Sequence, residues 1–527
     1  MYIVVIGVLA IVLTRSGMGP AYCLLAPPEW VLAGVAAATL LPATLGVPLA
    51  RRVVRLLDRD PENPSRGQYA FGRGMMLLQF AVGALHATLL LCTPWMLLCA
   101  RVPVVGQWPL VPGLLALVPF LLSIILVWTV VYPADRAVRQ IALEVYLFRG
   151  KPLRPVWPLW QYLQFNLRHQ VLFILVPMML ILLASDLVEQ YEQAIRKATG
   201  QPYAPDMVVG LAAVLVAVVA PEILRHVWVT RRLPDGPLRD RLLQLCRQLR
   251  LRCRDILVWR SGGMIVNAAV MGVIAPLRYV LITDAMLEQM DDRKIEAVFG
   301  HEAGHVKHHH IPCFLLFALI SGCIVTIFSV YTRDVLRTDQ RLYHVLLAGL
   351  GVVLMLKWGV VFFWISRRFE RQADTYGVRT LTRCGLPCTQ PCLVHAPQVV
   401  GSTPDDSPDT SDEASAGTPV QPPRGGDALC TTAAQLFGHA LNEVAVLNGI
   451  PPEARSWRHS SIASRSRFLQ QLAIEPDRNR RFQRLVLGIQ VAIVLVAAVV
   501  AAWAATALHI WDLLGDVLAA IGVTAPR

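Results

Sequence analysis

The sequence is poor in charged residues. Only 16% of its 527 residues are Asp, Glu, Lys or Arg, while 55% are hydrophobic. Soluble domains carry about 25% charged residues, so this composition excludes an ordinary soluble protein and indicates a membrane protein. The net charge is +13, but no nucleic-acid-binding motif accompanies it. We therefore expect no nucleic-acid partner, and we attribute the basic residues to orientation in a lipid bilayer and contact with anionic lipid.

The sequence also lacks the cysteine framework of a small secreted domain. Its eleven cysteines are scattered, and most lie in or near apolar segments, where they behave as small hydrophobic residues. Cys384, Cys388 and Cys392 form a C-x3-C-x3-C run. Prolines interrupt this run and its spacing matches no standard zinc knuckle. We interpret it as structural or incidental, with a second metal site as the alternative.

Long apolar runs are abundant. A helix that crosses a bilayer needs about 20 mostly apolar residues, and eight segments meet this requirement or come close to it. They are 31–50, 75–99, 110–131, 171–184, 207–220 extended to about 227, 312–330, 345–365 and 485–508. The short apolar segment 2–13 is a ninth span or an uncleaved anchor, because it has neither a basic n-region nor a clear cleavage site. The sequence predicts a polytopic α-helical membrane protein with about 8–9 transmembrane helices.

Arginine-rich segments indicate how the spans are oriented. The segments 51–73, 136–168 and 225–232 are basic, whereas 186–192 is acidic. By the positive-inside rule the basic segments are cytoplasmic. We therefore predict a multi-pass protein of the cell (inner) membrane in which 233–310 lies on the cytoplasmic side. That segment has the pattern of a small α+β unit, with an amphipathic helix at 238–249 and short strands at 255–259, 264–270 and 279–283.

An H-E-A-G-H sequence begins at His301, on a predicted helix. Residues four apart share a helix face, so His301 and His305 can both offer an imidazole to one metal ion. Glu302 can then act as a base toward a metal-bound water. A hydrolytic zinc site takes a third protein ligand, and Glu370 is the best candidate because it follows a predicted transmembrane hairpin on the same membrane face. Asp374, one turn later, can hydrogen-bond the outer nitrogen of a ligand histidine.

The H-E-A-G-H sequence, with S-R-R-F-E-R-Q-A-D after the hairpin, resembles the integral-membrane gluzincin metallopeptidases. This family includes the HtpX-like proteases and the CAAX prenyl proteases, and the resemblance covers about 238–469 apart from an insertion. It implies a mostly helical zincin catalytic domain with a small β-sheet and one Zn²⁺ per chain. The zinc ligands would be His301, His305 and Glu370, and Glu302 would be the general base and acid.

Two further segments match the family. The pair Asn267 and Ala268 corresponds to an N-A pair on the edge strand of the cleft, where an extended peptide substrate can bind. The family also has a late His-Pro segment with an arginine six residues after the histidine. His459 and Arg465 fit this spacing, although Ser460 replaces the proline. The resemblance implies that both side chains donate to the oxyanion of the reaction. The three histidines 308–310 we interpret as interfacial residues and not as ligands.

These observations predict five regions along the chain. An N-terminal membrane region (1–232) has five or six transmembrane helices, and the first part of a cytoplasmic peptidase domain (233–310) carries the H-E-x-x-H motif. A transmembrane hairpin (311–365) leads to the second part of the peptidase domain (366–483). This part contains an insertion at about 395–428 that we expect to be disordered because it is rich in Ser, Thr, Pro, Asp and Gly. A C-terminal transmembrane helix and tail (484–527) follow.

The expected activity is hydrolysis of peptide bonds in membrane or membrane-associated proteins, in the setting of membrane protein quality control. The alternatives are a CAAX-type processing protease and a catalytically inactive membrane scaffold of the same fold. An intramembrane protease fits less well, because the charged residues 291–296 precede the motif and belong in water. A transporter also fits less well, since the earlier spans contain almost no ionisable residues. The sequence leaves the substrate and the oligomeric state open.

Overall fold

The computed structural model describes residues 27–60, 63–104, 108–148, 155–200, 204–263, 265–383, 386, 388, 392, 394–395, 428–454 and 460–507. Several sequence-based predictions fall outside these residues. They concern the apolar segment 2–13, Cys384, His459, nearly all of the predicted insertion and the tail beyond residue 507.

The described residues before the sheet are mostly helical. Their helices are α1 (Pro28–Arg59), α2 (Ser65–Cys92), α3 (Trp95–Ala100), α4 (Val111–Phe148), α5 (Leu159–Asn166), α6 (Phe173–Gln190), α7 (Glu192–Thr199) and α8 (Ala204–Val227), with a π-helical turn at Leu167–Leu172 between α5 and α6. The span predicted over 75–99 is present with other bounds, because α2 begins at Ser65 and ends at Cys92. Pro94 has no backbone N–H and disfavours helical geometry at the preceding residue, and Thr93 is accordingly extended, with φ −138° and ψ 160°.

A small mixed sheet follows these helices. Its strands are β1 (Thr230–Arg232), β2 (Asp255–Trp259), β3 (Ala268–Met271) and β4 (Tyr279–Thr283), in the order β1-β2-β4-β3. The central strands β2 and β4 are parallel, and the edge strands β1 and β3 pair with them antiparallel. The predicted bounds of β2 and β4 are confirmed. The strand predicted over 264–270 is shorter and displaced, and β1 was not predicted because three residues carry too little pattern.

Helices complete the rest of the described chain. They are α9 (Pro237–Gln248), α10 (Asp284–Gln289), α11 (Asp292–Lys307), α12 (His310–Thr338), α13 (Gln340–Leu356), α14 (Phe363–Arg383), α15 (Thr431–Leu447), α16 (Ile462–Ile474) and α17 (Pro476–Ala507), with a 3₁₀ turn at Ala275–Leu277 and a π-helical turn at Lys357–Phe362. A buried apolar core joins α9, the sheet, α11, α14, α15 and α16.

Among the described residues, eight helical segments are long and apolar enough to cross a membrane. They lie in α1, α2, α4, α5 with α6, α8, α12, α13 with α14, and α17. The chain is therefore a polytopic α-helical membrane protein with a small sheet, and the predicted fold class is confirmed. The division into five regions stays a prediction.

The helix that carries Glu370 continues the second helix of the predicted membrane hairpin. Asp339 separates α12 from α13, and its side chain accepts a hydrogen bond from Leu342 N at 3.0 Å, which caps the start of α13. The chain then stays helical through the π-helical turn at Lys357–Phe362 and into α14. Because the helix is continuous, the position of the hairpin in the bilayer sets the position of Glu370.

Two glycines of α11 allow that helix to lie close to α14. A Cβ atom at Gly304 would lie 3.0 Å from both Ala373 Cα and Tyr376 Cβ, and one at Gly300 would lie 2.8 Å from Thr380 Cβ. Real Cβ atoms rarely lie so close to other heavy atoms, so a side chain at either position would displace its neighbours on α14. The glycine of the H-E-A-G-H sequence thus allows α11 and α14 to pack closely.

We predict that Gly304→Ala destabilises the protein. Overpacking a well-packed contact costs about 1–3 kcal/mol, so the thermal unfolding midpoint of the detergent-purified protein should fall. Gly322→Ala is the matched control, because this glycine also lies within a helix and a Cβ there would meet nothing within 4 Å. An unchanged midpoint for Gly304→Ala would contradict the close packing of α11 on α14.

Candidate metal centre and active site

Three side chains from two helices converge on one point. His301 and His305 lie one turn apart on α11, with their Nε2 atoms 3.2 Å apart. Glu370 on α14 places Oε2 3.6 Å from His301 Nε2 and Oε1 3.8 Å from His305 Nε2. Ligand atoms about 2.0–2.1 Å from a tetrahedral ion lie about 3.3 Å from one another. The three ligand atoms are therefore spaced as a single metal ion would require.

The composition of this group also suits zinc. Two imidazoles and one carboxylate are a donor set found in hydrolytic zinc sites, which keep a fourth position for water. Burial lowers the pKa of His305 to about 4, and the charge of His301 acts in the same direction. His305 is therefore neutral near pH 7, which is the form of imidazole that binds metals. On geometry and chemistry, the residues present fit a zinc ion.

His301 is oriented by a buried carboxylate. Its Nδ1 lies 2.9 Å from Asp374 Oδ1, on the side of the ring opposite Nε2. Burial alone would lower the pKa of His301, but Asp374 and Glu370 outweigh it and raise the pKa. A proton on Nδ1 facing Asp374 leaves the Nε2 lone pair free for a metal, which is the usual arrangement of a carboxylate behind a ligand histidine.

Arg465 on α16 lies against this carboxylate. Its Nε donates to Asp374 Oδ2 at 2.8 Å and its Nη2 donates to Asp374 Oδ1 at 2.5 Å. Asp374 is fully buried and Arg465 is nearly so. A bidentate pair of this kind offsets the large cost of burying each charge. The observed contact therefore makes Arg465 a residue that positions Asp374, and its role as an oxyanion donor stays a prediction.

His305 also has a buried partner that the sequence did not indicate. His310 Nδ1 lies 3.0 Å from His305 Nδ1, and His310 Nε2 lies 2.9 Å from Gln372 Oε1. The interpretation of His310 as an interfacial residue is wrong, because its side chain is fully buried. His309 adopts a left-handed backbone conformation (φ 55°) between α11 and α12. That turn brings His310 back against His305, and helical periodicity cannot predict it.

Glu302 lies between the candidate ligands and the sheet. Its Oε2 accepts a hydrogen bond from Val270 N, on edge strand β3, at 3.2 Å. Burial raises the pKa of Glu302 to about 7, against the effect of His301, which lowers it. A carboxyl group with such a pKa can both accept and return a proton near neutral pH.

Edge strand β3 presents backbone groups to the same space. Thr283 N donates to Asn267 O at 3.0 Å, so Asn267 faces β4 with its main chain. In an antiparallel pair, residues that hydrogen-bond to the partner strand alternate with residues that do not. The main-chain groups of Ala268 and Val270 therefore point away from β4. The side chain of Asn267 is exposed, and Ala268 is buried. An extended peptide can therefore pair with this edge beside Glu302.

The segment expected to carry His459 is described only in part. The helix predicted over 456–472 begins later, at Ile462, where the Ser461 side chain accepts from Ser464 N at 3.3 Å as its cap. Arg465 lies in the first turn of that helix. The role expected for His459 stays a prediction.

The sequence around this site matches the model of a known protein family. Residues 235–407 match the model of peptidase family M48. The chain contains a peptidase family M48 domain. This match confirms the resemblance to membrane metallopeptidases that the sequence showed. The matched residues include β2, β3, β4, α11 and α14.

Curated relatives of the M48 domain are named HtpX proteases. The chain is 28% identical over 156 residues to a "Protease HtpX homolog" of Archaeoglobus fulgidus, covering 28% of this chain and 45% of that protein. It is 32% identical over 117 residues to a homologue in Pyrobaculum calidifontis, covering 21% and 34%. It is 28% identical over 133 residues to "Protease HtpX" of Xanthomonas axonopodis pv. citri, covering 23% and 44%. The chain thus spans less than half of these relatives.

A likeness to a solved structure is also found. The crystal structure of S. mikatae Ste24p is 14% identical, with a TM-score of 0.43, and the match covers 84% of this chain and 99% of that one. A TM-score this low does not establish a shared fold.

We predict that Arg465→Met destabilises the protein. The substitution leaves the buried carboxylate of Asp374 without its counter-charge, and breaking a buried pair in this way costs about 3–5 kcal/mol. The thermal unfolding midpoint in detergent should fall accordingly. Arg467→Met is the matched control on the same helix, because Arg467 is exposed and donates to a carbonyl of its own helix, that of Ala463. Equal midpoints for the two variants would contradict the positioning role of Arg465.

Proposed function

We propose that this chain is a membrane-embedded zinc metalloendopeptidase that hydrolyses peptide bonds of membrane or membrane-associated proteins. The observation that carries the proposal is the position of Glu302. The three candidate zinc ligands converge on one side of it, and the backbone of edge strand β3 binds it on the other. A scaffold that had lost its activity would have no need to keep this arrangement.

Different residues would bind the metal and transfer the proton. A zinc ion held by His301, His305 and Glu370 would supply a Lewis acid for a water molecule and for the scissile carbonyl group. Glu302 accepts the proton of that water as its oxygen adds to the carbonyl carbon. Glu302 then gives the proton to the leaving amine, so that no covalent bond between enzyme and substrate is needed.

Substrate binding follows from the edge strand. An extended peptide that pairs with the outward main-chain groups of Ala268 and with the carbonyl group of Val270 would run past Glu302 and the metal ligands. Asn267, exposed on the same segment, is available to hydrogen-bond the peptide. His459 and Arg465 are the proposed donors to the oxyanion.

The position of the site relative to the membrane favours certain substrates. Glu370 lies on a helix that continues directly from a candidate membrane span, so the site lies at the bilayer surface. Proteins that are inserted in the membrane, or unfolded beside it, reach such a site most easily, which supports a role in membrane protein quality control. The basic segments favour a cytoplasmic site at the cell (inner) membrane. Processing of CAAX-type C-termini is the alternative that the family resemblance offers.

We predict that Glu302→Gln retains zinc and loses peptidase activity. The amide cannot accept the proton of the attacking water, and removing a general base slows such reactions about 10²–10⁴-fold. Elemental analysis and cleavage of an unfolded protein substrate, both on the purified full chain, measure the two effects. Glu475→Gln replaces an exposed glutamate at the end of α16 and should change neither. Normal turnover by Glu302→Gln would reject the mechanism.

The same variant can identify the substrates. Full-length substrates should accumulate in membranes of cells that express Glu302→Gln in place of the wild type, and quantitative proteomics would reveal them. Enrichment of integral membrane proteins supports the proposed substrate class. Accumulation of proteins with unprocessed CAAX C-termini would favour the alternative.

A further inference from the structure

A second group of metal-binding side chains lies away from the H-E-x-x-H motif. It consists of Cys388, Cys392, His395 and Cys430, whose ligand atoms all lie within 4.8 Å of one another. Cys388 Sγ lies 3.3 Å from Cys392 Sγ and 3.6 Å from Cys430 Sγ. His395 Nδ1 lies 3.4 Å from Cys392 Sγ. Three sulfurs and an imidazole nitrogen therefore face one another around a single point.

We propose that these four side chains bind one zinc ion that is separate from the candidate catalytic metal. Zn–S bonds of about 2.3 Å and Zn–N bonds of about 2.0–2.1 Å in a tetrahedron place neighbouring ligand atoms about 3.5–3.8 Å apart. The observed separations are close to these values. An iron–sulfur cluster would hold its cysteines farther apart, because several metal atoms lie between them.

The chemistry of the four ligands favours zinc over other metals. Three thiolates and one imidazole form a Cys₃His set, which is a common structural zinc site, whereas magnesium and calcium take oxygen ligands. His395 N also donates to Cys392 Sγ at 3.3 Å. A backbone N–H directed at a sulfur stabilises its thiolate form, as outer contacts of metal ligands usually do.

A disulfide explains the group less well. A bond between Cys388 and Cys392 would not explain why the thiol of Cys430 and the ring of His395 lie close to the same two sulfur atoms. Elsewhere in the domain, Cys246 and Cys253 approach to 4.0 Å but belong to no such cluster among the described residues. The proposed cytoplasmic placement is also reducing, and cysteines there more often bind metals than form disulfides.

The surroundings match a closed structural site. Cys430 is fully buried, together with its neighbour Leu429, and Val394 is buried beside His395. Cys388 and Cys392 are half-buried against the same core. Cys430 is also the residue that precedes the first turn of α15. With four protein ligands, this ion would have no position left for a water and no catalytic use.

The ion would connect two distant parts of the chain. It would join the segment that follows α14 to the start of α15, at the two ends of the connection 396–427. Phe437 of α15 packs against Gly377 of α14, and its ring centroid lies 6.3 Å from that of His301. An ion that fixes the start of α15 would therefore also stabilise the position of Phe437 beside the candidate catalytic site.

Metal counting on the full chain in detergent tests the proposal. If both sites are present, the wild type should contain two zinc ions per chain. The double variant Cys388→Ser/Cys430→Ser should contain one, and so should His301→Ala/His305→Ala. Cys253→Ser removes another half-buried cysteine of the same domain and should keep both ions. Zinc content that is the same in the cysteine double variant as in the wild type would overturn the proposal, whatever the histidine variant shows.

Cobalt substitution of the wild type gives a readout that needs no variant. Thiolate ligands give Co²⁺ an intense charge-transfer absorption, and the ligands His301, His305 and Glu370 contain no sulfur. One Co²⁺ per chain should therefore show this absorption, even if the catalytic site proves to bind no metal. Absence of the absorption at full cobalt loading, or a disulfide between Cys388 and Cys392 in protein purified without oxidant, would contradict the proposed site.

Discussion

The close packing of α11 against α14 decides where every candidate ligand lies. His301 and His305 come from one helix and Glu370 from the other, and the glycines at 300 and 304 remove the side chains that would separate them. Because α14 continues from a candidate membrane span, the same packing connects the site to the bilayer. A change in the separation of the two helices would move Glu370 away from both histidines at once.

Burying charge at this contact requires compensation. Glu370 and Asp374 lie on one face of α14, and both are buried. Arg465 lies with Nη2 2.5 Å from Asp374 and 3.9 Å from Glu370, so one cation balances part of two carboxylates. A metal ion between the histidines and Glu370 would balance the rest, since buried charges persist when they are paired or bind metals. The two proposals, for Arg465 and for zinc, therefore rest on the same electrostatic requirement.

Much of this arrangement could be predicted from the sequence. Helical periodicity placed His301 and His305 together, and apolar runs predicted the eight candidate spans. Periodicity could not reveal His310, because a left-handed residue, His309, reverses the chain there. The partner of Arg465 was also missed, since Asp374 is far from it in sequence. The cysteine run alone did not indicate the proposed second zinc site, because two of the four converging residues, His395 and Cys430, lie outside that run.

The central claim is that His301, His305 and Glu370 hold one zinc ion. Anomalous diffraction from crystals of the full chain, recorded above and below the zinc absorption edge, tests it most directly. The account predicts a zinc peak at about 2.0–2.2 Å from His301 Nε2, His305 Nε2 and a carboxylate oxygen of Glu370. A well-occupied zinc peak that Glu370 does not touch, or no peak between the two histidines in protein prepared with zinc, would contradict it.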